Sequence, residues 1–267
     1  IDALAAALSR RGFAAEVALT DEQKTRAANT PAHCVVAAGG DGTVHHAING
    51  AYDGPLAVLP LGTENLYADA FGFTADAEAL ATVIERGRVK QIDLATAGDR
   101  RFGLMISAGF DADVAHRLDR WRTRKGPAKR VRRRTYRRFI LTSAVLYRWP
   151  RITLETDHGR INGAHAMVFN LPEYGFDLDF APDARADDGL LDWVVFEKPG
   201  VWRMHRYWRA VQRGEHLELD DVKRGRTKRC AIRGAAGVPV QLDGEAFGHT
   251  PVEIDIHPAA LRVIDAG

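Results

Sequence analysis

The fold of this 267-residue chain is decided by the stretch HCVVAAGGDGTV at residues 33–44. Residues 33–38 form a short apolar run of the kind found in buried parallel strands. The run leads directly into the glycine-rich turn GGDGT at 39–43, and residues 44–50 are predicted to form a helix. Glycines at such a turn let backbone N–H groups approach an anion, and the helix N-terminus adds favourable partial charge. The stretch therefore predicts an anion-binding loop, although it matches neither a Walker motif nor a dinucleotide fingerprint.

A second loop repeats this context. The apolar run at 55–60 is followed by LGTEN at 61–65 and a predicted helix through Ala70. Because open parallel sheets bind ligands outside the carboxyl ends of their strands, the two loops together predict a binding crevice rather than two tight connections. Alternation of strand, glycine turn and helix predicts an α/β domain with a parallel sheet over residues 1–93. Further elements predicted there are helices at 3–8, 21–28 and 76–86 and a strand at 13–19.

The pattern changes after residue 93. Short runs with strand composition alternate with turns rich in Gly, Asn, Asp and Pro, which is typical of a β-sandwich. We therefore predict an all-β sandwich domain over residues 94–267, interrupted by a helix within 129–149 and another at 201–213. The predicted strands are 92–95, 101–108, 151–156, 164–170, 190–196, 228–233, 238–242 and 252–256.

Charge is distributed unevenly along the chain. The total is only +2, from 37 Lys and Arg against 35 Asp and Glu, but residues 117–138 carry twelve basic side chains and one acid. Such a block predicts an anionic partner or, more simply, a solvated loop and helix face. Aromatic residues are sparse in the block and no zinc-finger spacing accompanies it, which favours an anionic membrane surface over nucleic acid. Two cysteines and no long apolar stretch indicate a cytoplasmic protein without a membrane-spanning helix.

Four motifs resemble those of a known family in their order along the chain. They are GGDGTV at 39–44, PLGTEN at 60–65, APDARADDGLLD at 181–192 and QLDGE at 241–245. This order is similar to that of the diacylglycerol kinase catalytic-domain family, which includes sphingosine and ceramide kinases and related bacterial lipid kinases. Smaller matches are Ile92-Asp93-Leu94, SAGFDA at 107–112, His216 and the segment 257–264. The resemblance implies an N-terminal α/β nucleotide-binding domain joined to a C-terminal β-sandwich.

The resemblance also implies an activity. Members of the family transfer the γ-phosphoryl group of ATP to a lipid hydroxyl, with Mg²⁺, in a cleft between the domains. By motif, Asp41 is expected near the catalytic metal and Glu245 as the general base that takes the proton from the lipid hydroxyl. Asp188 is expected as a structural Mg²⁺ ligand, with main-chain oxygens of Arg185 and Leu190. The residues expected along the nucleotide are Thr20, Gly39, Gly40, Asp41, Gly42, Thr43, Val44, His45, His46, Thr63, Glu64 and Asn65.

These expectations fit the chemistry of phosphoryl transfer. The protein mainly positions the reactants and cancels charge on the phosphate oxygens, and a carboxylate within hydrogen-bond reach of an alcohol can accept its proton. Without the resemblance, the Asp188-Gly189 and Asp243-Gly244 pairs would be predicted as hairpin turns. The basic block is expected to hold the protein peripherally against the inner face of the membrane, and members of the family often form homodimers, although the oligomeric state of this chain cannot be predicted from its sequence. Diacylglycerol, a sphingoid base, ceramide, phosphatidylglycerol and a polyprenol are all open as the acceptor.

The chain departs from the family pattern at three places. Leu66 replaces an acid that is common in the second loop, and His45-His46 replace Asn-Glu in the first. The family normally opens with a strand and an Asn-Pro, glycine-containing loop, so we expect part of the site to lie outside the given sequence. Leu66 and His46 favour one alternative to a lipid kinase, a catalytically silent binder of lipid or nucleotide. A second alternative is an NAD kinase-like enzyme with a soluble acceptor, against which the DDGLLD and DGE motifs and the basic block argue.

Overall fold

The computed structural model describes residues 1–20, 23, 24, 27, 30–50, 52, 54–125, 133–234 and 237–267. These residues form two compact units. Unit 1 contains Ile1–Leu94 together with Pro258–Gly267, and unit 2 contains Ala95–His257. The sequence assigned the whole of 94–267 to the second domain, whereas in the structure the last residues return to unit 1. They do so because Val263, near the end of the last strand, pairs in parallel with Leu56.

Unit 1 has the predicted α/β order. Strand β1 (Val35–Gly39) pairs in parallel with β2 (Leu56–Pro60), in the register Val35↔Leu56 to Gly39↔Pro60. Unit 1 also contains the helices α1 (Asp2–Arg10), α2 (Asp41–Asn49), α3 (Leu66–Phe71) and α4 (Ala77–Arg86). Parallel pairing brings the carboxyl ends of β1 and β2 to the same edge. The loops that lead into α2 and α3 therefore lie side by side.

The strand predicted at 13–19 is wrong. No described strand pairs with this segment, and Val17 and Leu19 are exposed. Strand composition alone is insufficient, because a strand also needs a neighbour that takes up its backbone N–H and C=O groups. The segment ends at Thr20, where a reciprocal pair of hydrogen bonds with Gln23 forms a capping box. The helix predicted at 21–28 lies largely outside the described residues.

Unit 2 contains two antiparallel sheets. Among the described strands, the order of the first sheet is β12 (Val222–Thr227), β11 (Leu191–Phe196), β8 (His165–Phe169), β5 (Met105–Ala108), β14 (Pro239–Leu242) and β15 (Glu245–His249).

The second sheet is built around β13 (Arg229–Gly234). This strand pairs with β6 (Ile152–Thr156) and with the first part of β16 (Val252–Ile264), and β6 also pairs with β7 (Gly159–Gly163). Two shorter pairings join β4 (Arg100–Phe102) to the end of β3 (Val89–Ala97) and β9 (Glu173–Tyr174) to β10 (Leu178–Asp179).

The core of unit 2 is filled from both sheets. Ile106, Val168 and Val195 of the first sheet and Leu154 and Ile232 of the second are fully buried in one cluster. Interdigitation of two inner faces is the packing that defines a sandwich. The structure thus confirms the predicted fold class: an α/β unit with parallel strands and an antiparallel β-sandwich.

Helices cover part of the sandwich. Helix α6 (Arg133–Leu146) and α7 (Val201–Gln212) match the two predicted helices, and short 3₁₀ turns occur at Gly175–Asp177 and His216–Glu218. Helix α5 (Phe110–Lys125) was not predicted, because its second half belongs to the basic block. The apolar spacing of Phe110, Val114 and Leu118, which are all buried, could have indicated it. Of the helices described, none is long and apolar enough to cross a bilayer.

Candidate active site

The two glycine loops of unit 1 touch through their backbones. A Cβ atom added to Gly62 would lie 2.5 Å from the Cα atom of Gly40, and one added to Gly40 would lie 3.1 Å from the Cα atom of Gly62. Leu61 N–H also donates to the Gly39 carbonyl oxygen at 2.9 Å. Side chains would force the loops apart, so both glycines are needed for this approach. The structure therefore brings together the two loops that the sequence placed at one crevice.

Asn65 and Asp41 fix the second loop. Asn65 adopts a left-handed conformation with φ of 59°, and its Oδ1 accepts a hydrogen bond of 2.7 Å from Gly62 N–H. Asp41, the first residue of α2, accepts a 3.1 Å hydrogen bond from Tyr67 N–H in the first turn of α3. A carboxylate at this position satisfies a donor that the helix cannot satisfy itself. Asp41 thus ties the two helix N-termini together, a structural role that the sequence did not indicate.

The other residues predicted along the nucleotide fall into two groups. Gly42, Thr43, His46 and Thr63 are exposed at the loops, and Glu64 is half-buried beside them. Val44 and His45 are buried, with Asn49 Nδ2 lying 3.4 Å from the His45 ring nitrogen Nε2. The side chains of Val44 and His45 therefore pack within unit 1, and only their backbone groups can serve a loop ligand. Thr20 caps its own helical turn, as described above.

In unit 2 the carboxylate of Asp243 organises the QLDGE motif. Asp243 is buried and accepts hydrogen bonds from three consecutive backbone N–H groups, those of Gly103 at 3.2 Å and of Leu104 and Met105 at 3.0 Å. Its own N–H donates to the Met105 carbonyl oxygen at 2.9 Å. An ionised acceptor makes stronger hydrogen bonds than a neutral one, and here it satisfies donors that would otherwise be buried unpaired. Asp243 is thus the anchor of the turn between β14 and β15.

Glu245 follows directly as the first residue of β15. Gly244 N–H donates to Gln241 Oε1 at 2.8 Å, so the turn is held on both sides of Gly244. The Glu245 side chain is half-buried, and no group among the described residues hydrogen-bonds its carboxylate. A carboxylate held in place by its backbone with its oxygens available is suited to accept a proton from a ligand.

A buried polar network continues from Gln241 to Asp111. Gln241 Nε2 donates to Ser107 Oγ at 2.9 Å and to Asp111 Oδ2 at 3.2 Å. The Ser107 hydroxyl donates to Asp111 at 2.7 Å, and the Tyr174 hydroxyl donates to it at 3.2 Å. The sequence marked 107–112 only as a smaller motif match and gave these residues no role. Asp111 is the centre of the network, and Tyr174 could not be found from any motif.

The protonation states of the network follow from burial. Burial lowers the pKa of His165, so the ring is neutral, although the nearby Asp111 acts in the opposite direction. Its Nδ1 accepts from Phe110 N–H at 3.2 Å, which leaves the proton on Nε2, 3.6 Å from Asp111 Oδ1. Burial, and then Asp111, raise the pKa of Tyr174 well above its usual value, so the phenol remains a donor. The Ser107, Tyr174 and Gln241 donors of the network therefore converge on the Asp111 carboxylate.

The expected Mg²⁺ position at Asp188 contains a guanidinium group instead. Asp188 Oδ1 accepts from Leu190 N–H at 3.0 Å, and its Oδ2 is paired with Arg226. The Nε of Arg226 also lies 3.3 Å from Asp192 Oδ2, since Arg226 and Asp192 are opposite each other in the pairing of β12 with β11. A metal ion here would be placed beside a fixed positive charge. As arranged, Asp188 and its neighbours do not fit a structural Mg²⁺ ion.

Metal-binding clusters are equally absent from the rest of the described residues. No group of three or more His, Cys, Asp or Glu side chains among them is arranged to hold a metal ion. The side chain of Arg185 forms a surface ion pair with Asp187 at 3.0 Å, and the role predicted for the main-chain oxygens of Arg185 and Leu190 stays a prediction.

Comparison with known proteins covers both units. Residues 1–97 match the family model described as diacylglycerol kinase catalytic domain, and residues 104–265 match the one described as YegS C-terminal NAD kinase beta sandwich-like domain. A diacylglycerol kinase of Mycobacterium tuberculosis (strain ATCC 25618 / H37Rv) is 31% identical over 240 residues, covering 86% of this chain and 76% of the relative. A diacylglycerol kinase of Staphylococcus carnosus (strain TM300) is 24% identical over 239 residues, covering 86% and 75%.

The fold also matches a solved structure. A crystal structure from Bacillus anthracis str. Sterne superposes with a TM-score of 0.76 at 20% identity, covering 99% of this chain and 90% of that one. At this identity the likeness concerns the fold, and it includes both the α/β unit and the sandwich.

The Arg226 ion pairs generate a prediction about metal dependence. We expect EDTA to leave the thermal unfolding midpoint of the natural chain unchanged, because Asp188 is neutralised internally. The change Arg226→Gln should lower the stability by about 1 kcal/mol, because Asp188 and Asp192 then lack their shared cation, and added Mg²⁺ should recover part of this loss. Differential scanning calorimetry measures both effects. Arg185→Gln, which removes only an exposed pair, is the control, and an EDTA-sensitive midpoint in the natural chain would contradict the assignment.

Proposed function

The chain belongs to the diacylglycerol kinase family of lipid kinases. We propose that it transfers the γ-phosphoryl group of ATP to the hydroxyl of a diacylglycerol-like or sphingoid-like lipid. The observation that carries the proposal is the position of Glu245. Its carboxylate follows the Asp243 anchor and has no hydrogen-bond partner among the described residues. The expectation that the lipid binds in a cleft between the domains stays a prediction.

The donor side of the reaction is assigned to unit 1. The touching loops at Gly40 and Gly62 allow backbone N–H groups to approach phosphate oxygens, and each loop opens a helix N-terminus. Asp41 would hold Mg²⁺ together with phosphate oxygens and water. The ion, when bound, neutralises charge on the phosphates. The chain's own contribution is to keep these two loops in contact, since positioning is the main demand of phosphoryl transfer.

The acceptor side is assigned to unit 2. Glu245 accepts the proton of the lipid hydroxyl as the new bond to phosphorus forms, and its place in β15 is fixed by Asp243 and Gln241. A mobile carboxylate would accept the proton less efficiently, because a misplaced base no longer reaches the hydroxyl. Leu66 and His46 favour the alternative of a silent binder. Each stands where the family pattern has an acid, and neither side chain can carry out the function of a carboxylate. The NAD kinase-like alternative receives no support from the match of residues 1–97.

We predict that Glu245→Gln abolishes lipid phosphorylation. Loss of a general base typically lowers the rate by roughly 10²- to 10⁴-fold, and the amide preserves the size of the side chain. The measurement is Mg²⁺-dependent transfer of ³²P from ATP to diacylglycerol and to a sphingoid base in mixed micelles. Glu253→Gln, an exposed substitution in the same unit, should keep full activity. Equal activity of the Glu245 variant and the natural chain would refute the assignment, and no transfer by the natural chain would favour the silent binder.

Access to membrane lipid is assigned to α6. Its outer face carries Arg134 and Arg138 in the first half and Leu141 and Val145, 69% and 82% exposed, in the second. These positions recur at spacings of three and four, so they form one stripe. A helix face that combines exposed cations with exposed apolar residues suits an anionic bilayer surface. The part of the basic block at 126–132 lies outside the described residues.

Binding to vesicles tests this surface. We expect the protein to bind phosphatidylglycerol vesicles at low salt and to dissociate as salt rises, because exposed charges are screened over about 8 Å at physiological ionic strength. Leu141→Gln combined with Val145→Gln should weaken binding at every salt concentration. Leu19→Gln, which removes an equally exposed leucine of unit 1, is the matched control. Co-sedimentation with the vesicles measures binding. Binding that does not depend on salt, or an equal loss of binding in the Leu19→Gln control, would contradict the assignment.

A further inference from the structure

The pairing of β14 with β15 contains a β-bulge. Val240 is opposite Gly248. The next residue of β14, Gln241, is opposite Ala246, so Phe247 has no partner on β14. Gly248 has a φ of 140°, a conformation that side chains rarely adopt. Bulges of this kind bend the strand and change the direction of the side chains near them, and they are common beside active sites.

The bulge determines the face of the sheet on which Glu245 lies. Residues opposite each other in an antiparallel pair share a face. Glu245 is opposite Leu242, and His249 is opposite Pro239. Leu242 and Pro239 are three residues apart, so they point to opposite faces of β14. In a regular strand Glu245 and His249, four residues apart, would share a face. The extra residue of the bulge therefore separates them.

The register of β15 is held from one side only. Among the described strands, β15 is the last of its sheet and pairs with β14 alone. A slip of one residue would move every side chain of such a strand to the other face. Helix α5 packs on both β14 and β15. The position of Glu245 therefore depends on the contacts by which α5 holds the two strands in register.

His116 of α5 contacts both strands at the bulge. Its Nε2 donates to the Val240 carbonyl oxygen at 2.8 Å, and its ring meets that of His249 edge-on, with ring centroids 5.1 Å apart. A carbonyl oxygen is an acceptor only, so Nε2 carries the ring proton. Burial lowers the pKa of His116, and His249 and Arg120 act in the same direction. The Val240 hydrogen bond and Asp113 oppose them. The imidazole is therefore a neutral donor near pH 7.

The same helix also holds the next residue of β14. Asp111 accepts a 3.2 Å hydrogen bond from Gln241 Nε2, and Gln241 Oε1 accepts from Gly244 N–H. Helix α5 thus fixes two consecutive residues of β14, Val240 through its backbone and Gln241 through its side chain. These two residues lie on β14 at the point where the register with β15 changes.

We propose that His116 is a positioning residue for Glu245: its hydrogen bond to Val240 and its contact with His249 hold the bulge, and the bulge sets the register that places the Glu245 carboxylate. The inference rests on the proposed function for its effect on the reaction, whereas the holding of the bulge requires no activity. His116 acts through the backbone of the two strands. It needs no contact with nucleotide or lipid.

Two substitutions of His116 separate its hydrogen bond from its size. His116→Leu fills similar space but cannot donate, whereas the amide nitrogen of His116→Gln can donate from about the position of Nε2. We expect His116→Leu to lower kcat for lipid phosphorylation roughly 10- to 100-fold, because a misplaced base no longer reaches the hydroxyl. KM for ATP should be unchanged, and His116→Gln should recover most of the loss. His205→Leu, at an exposed histidine of α7, is the control.

Gly248→Ala disturbs the bulge without touching His116. The added Cβ atom would meet no other described part of the chain within 4 Å, so the effect is confined to the φ of 140°. We expect kcat to fall, again with KM for ATP unchanged. Gly159→Ala is the matched control, because Gly159 has a φ of 135° and equally open surroundings in the second sheet. Full activity of Gly248→Ala would overturn the inference.

Hydrogen exchange of the β15 amides measures the bulge without ATP or lipid. We expect faster exchange at 245–249 in His116→Leu than in the natural chain or His116→Gln, with exchange in β6 unchanged. If this pattern appears but the natural chain transfers no phosphoryl group, the proposed function fails and the role of His116 at the bulge stands. Unchanged exchange in His116→Leu would overturn the inference. In an active natural chain, so would an unchanged kcat in His116→Leu or equal losses in the Leu and Gln variants.

Discussion

The hydrogen bonds of the Asp243 carboxylate hold together the part of unit 2 that contains the QLDGE motif. It gathers the N–H groups of Gly103, Leu104 and Met105 and so joins the segment before β5 to the turn after β14. Asp243 itself has a positive φ of 49°, a conformation that needs compensation in a residue other than glycine. The three hydrogen bonds supply that compensation. Glu245 lies next to this anchored turn and is also held by the pairing of β14 with β15, in which Leu242 is opposite Glu245.

The two acids of the QLDGE motif therefore differ in burial and in hydrogen bonding. Asp243 is buried and saturated with backbone donors, whereas Glu245 is half-buried and has no such donors among the described residues. The same division occurs in unit 1, where Asp41 ties α2 to α3 while the glycines bring the loops into contact. In both units a short motif combines a residue that fixes the backbone with groups that remain available to a ligand. Loops and turns can therefore hold ligand-binding groups in position, because a residue that fixes the backbone lies next to them.

Sequence patterns predicted the features that depend on residues close together in the chain. Strand, glycine turn and helix follow each other within a few residues, so the loops at Gly40 and Gly62 could be predicted together with the fold class. Residues 13–19 have strand composition but no strand beside them, and composition does not reveal a missing neighbour. Arg226 lies 38 residues from Asp188, and only the pairing of β12 with β11 brings its guanidinium to that carboxylate. The donors to Asp243 are still further away in sequence, which is why its anchoring role could not be predicted.

The hydrogen bonds of Asp243 hold the turn, and the role proposed for Glu245 is to accept the proton of the lipid hydroxyl. The most direct test is the free energy of unfolding of unit 2, measured in urea for Asp243→Asn beside Glu245→Gln. Asparagine keeps one acceptor oxygen but loses the charge and directs an amide N–H₂ at a backbone N–H, so we predict a loss of about 2 kcal/mol or more. Glu245→Gln should leave the unfolding free energy unchanged. Equal loss in both variants, or a loss only in Glu245→Gln, would contradict this account.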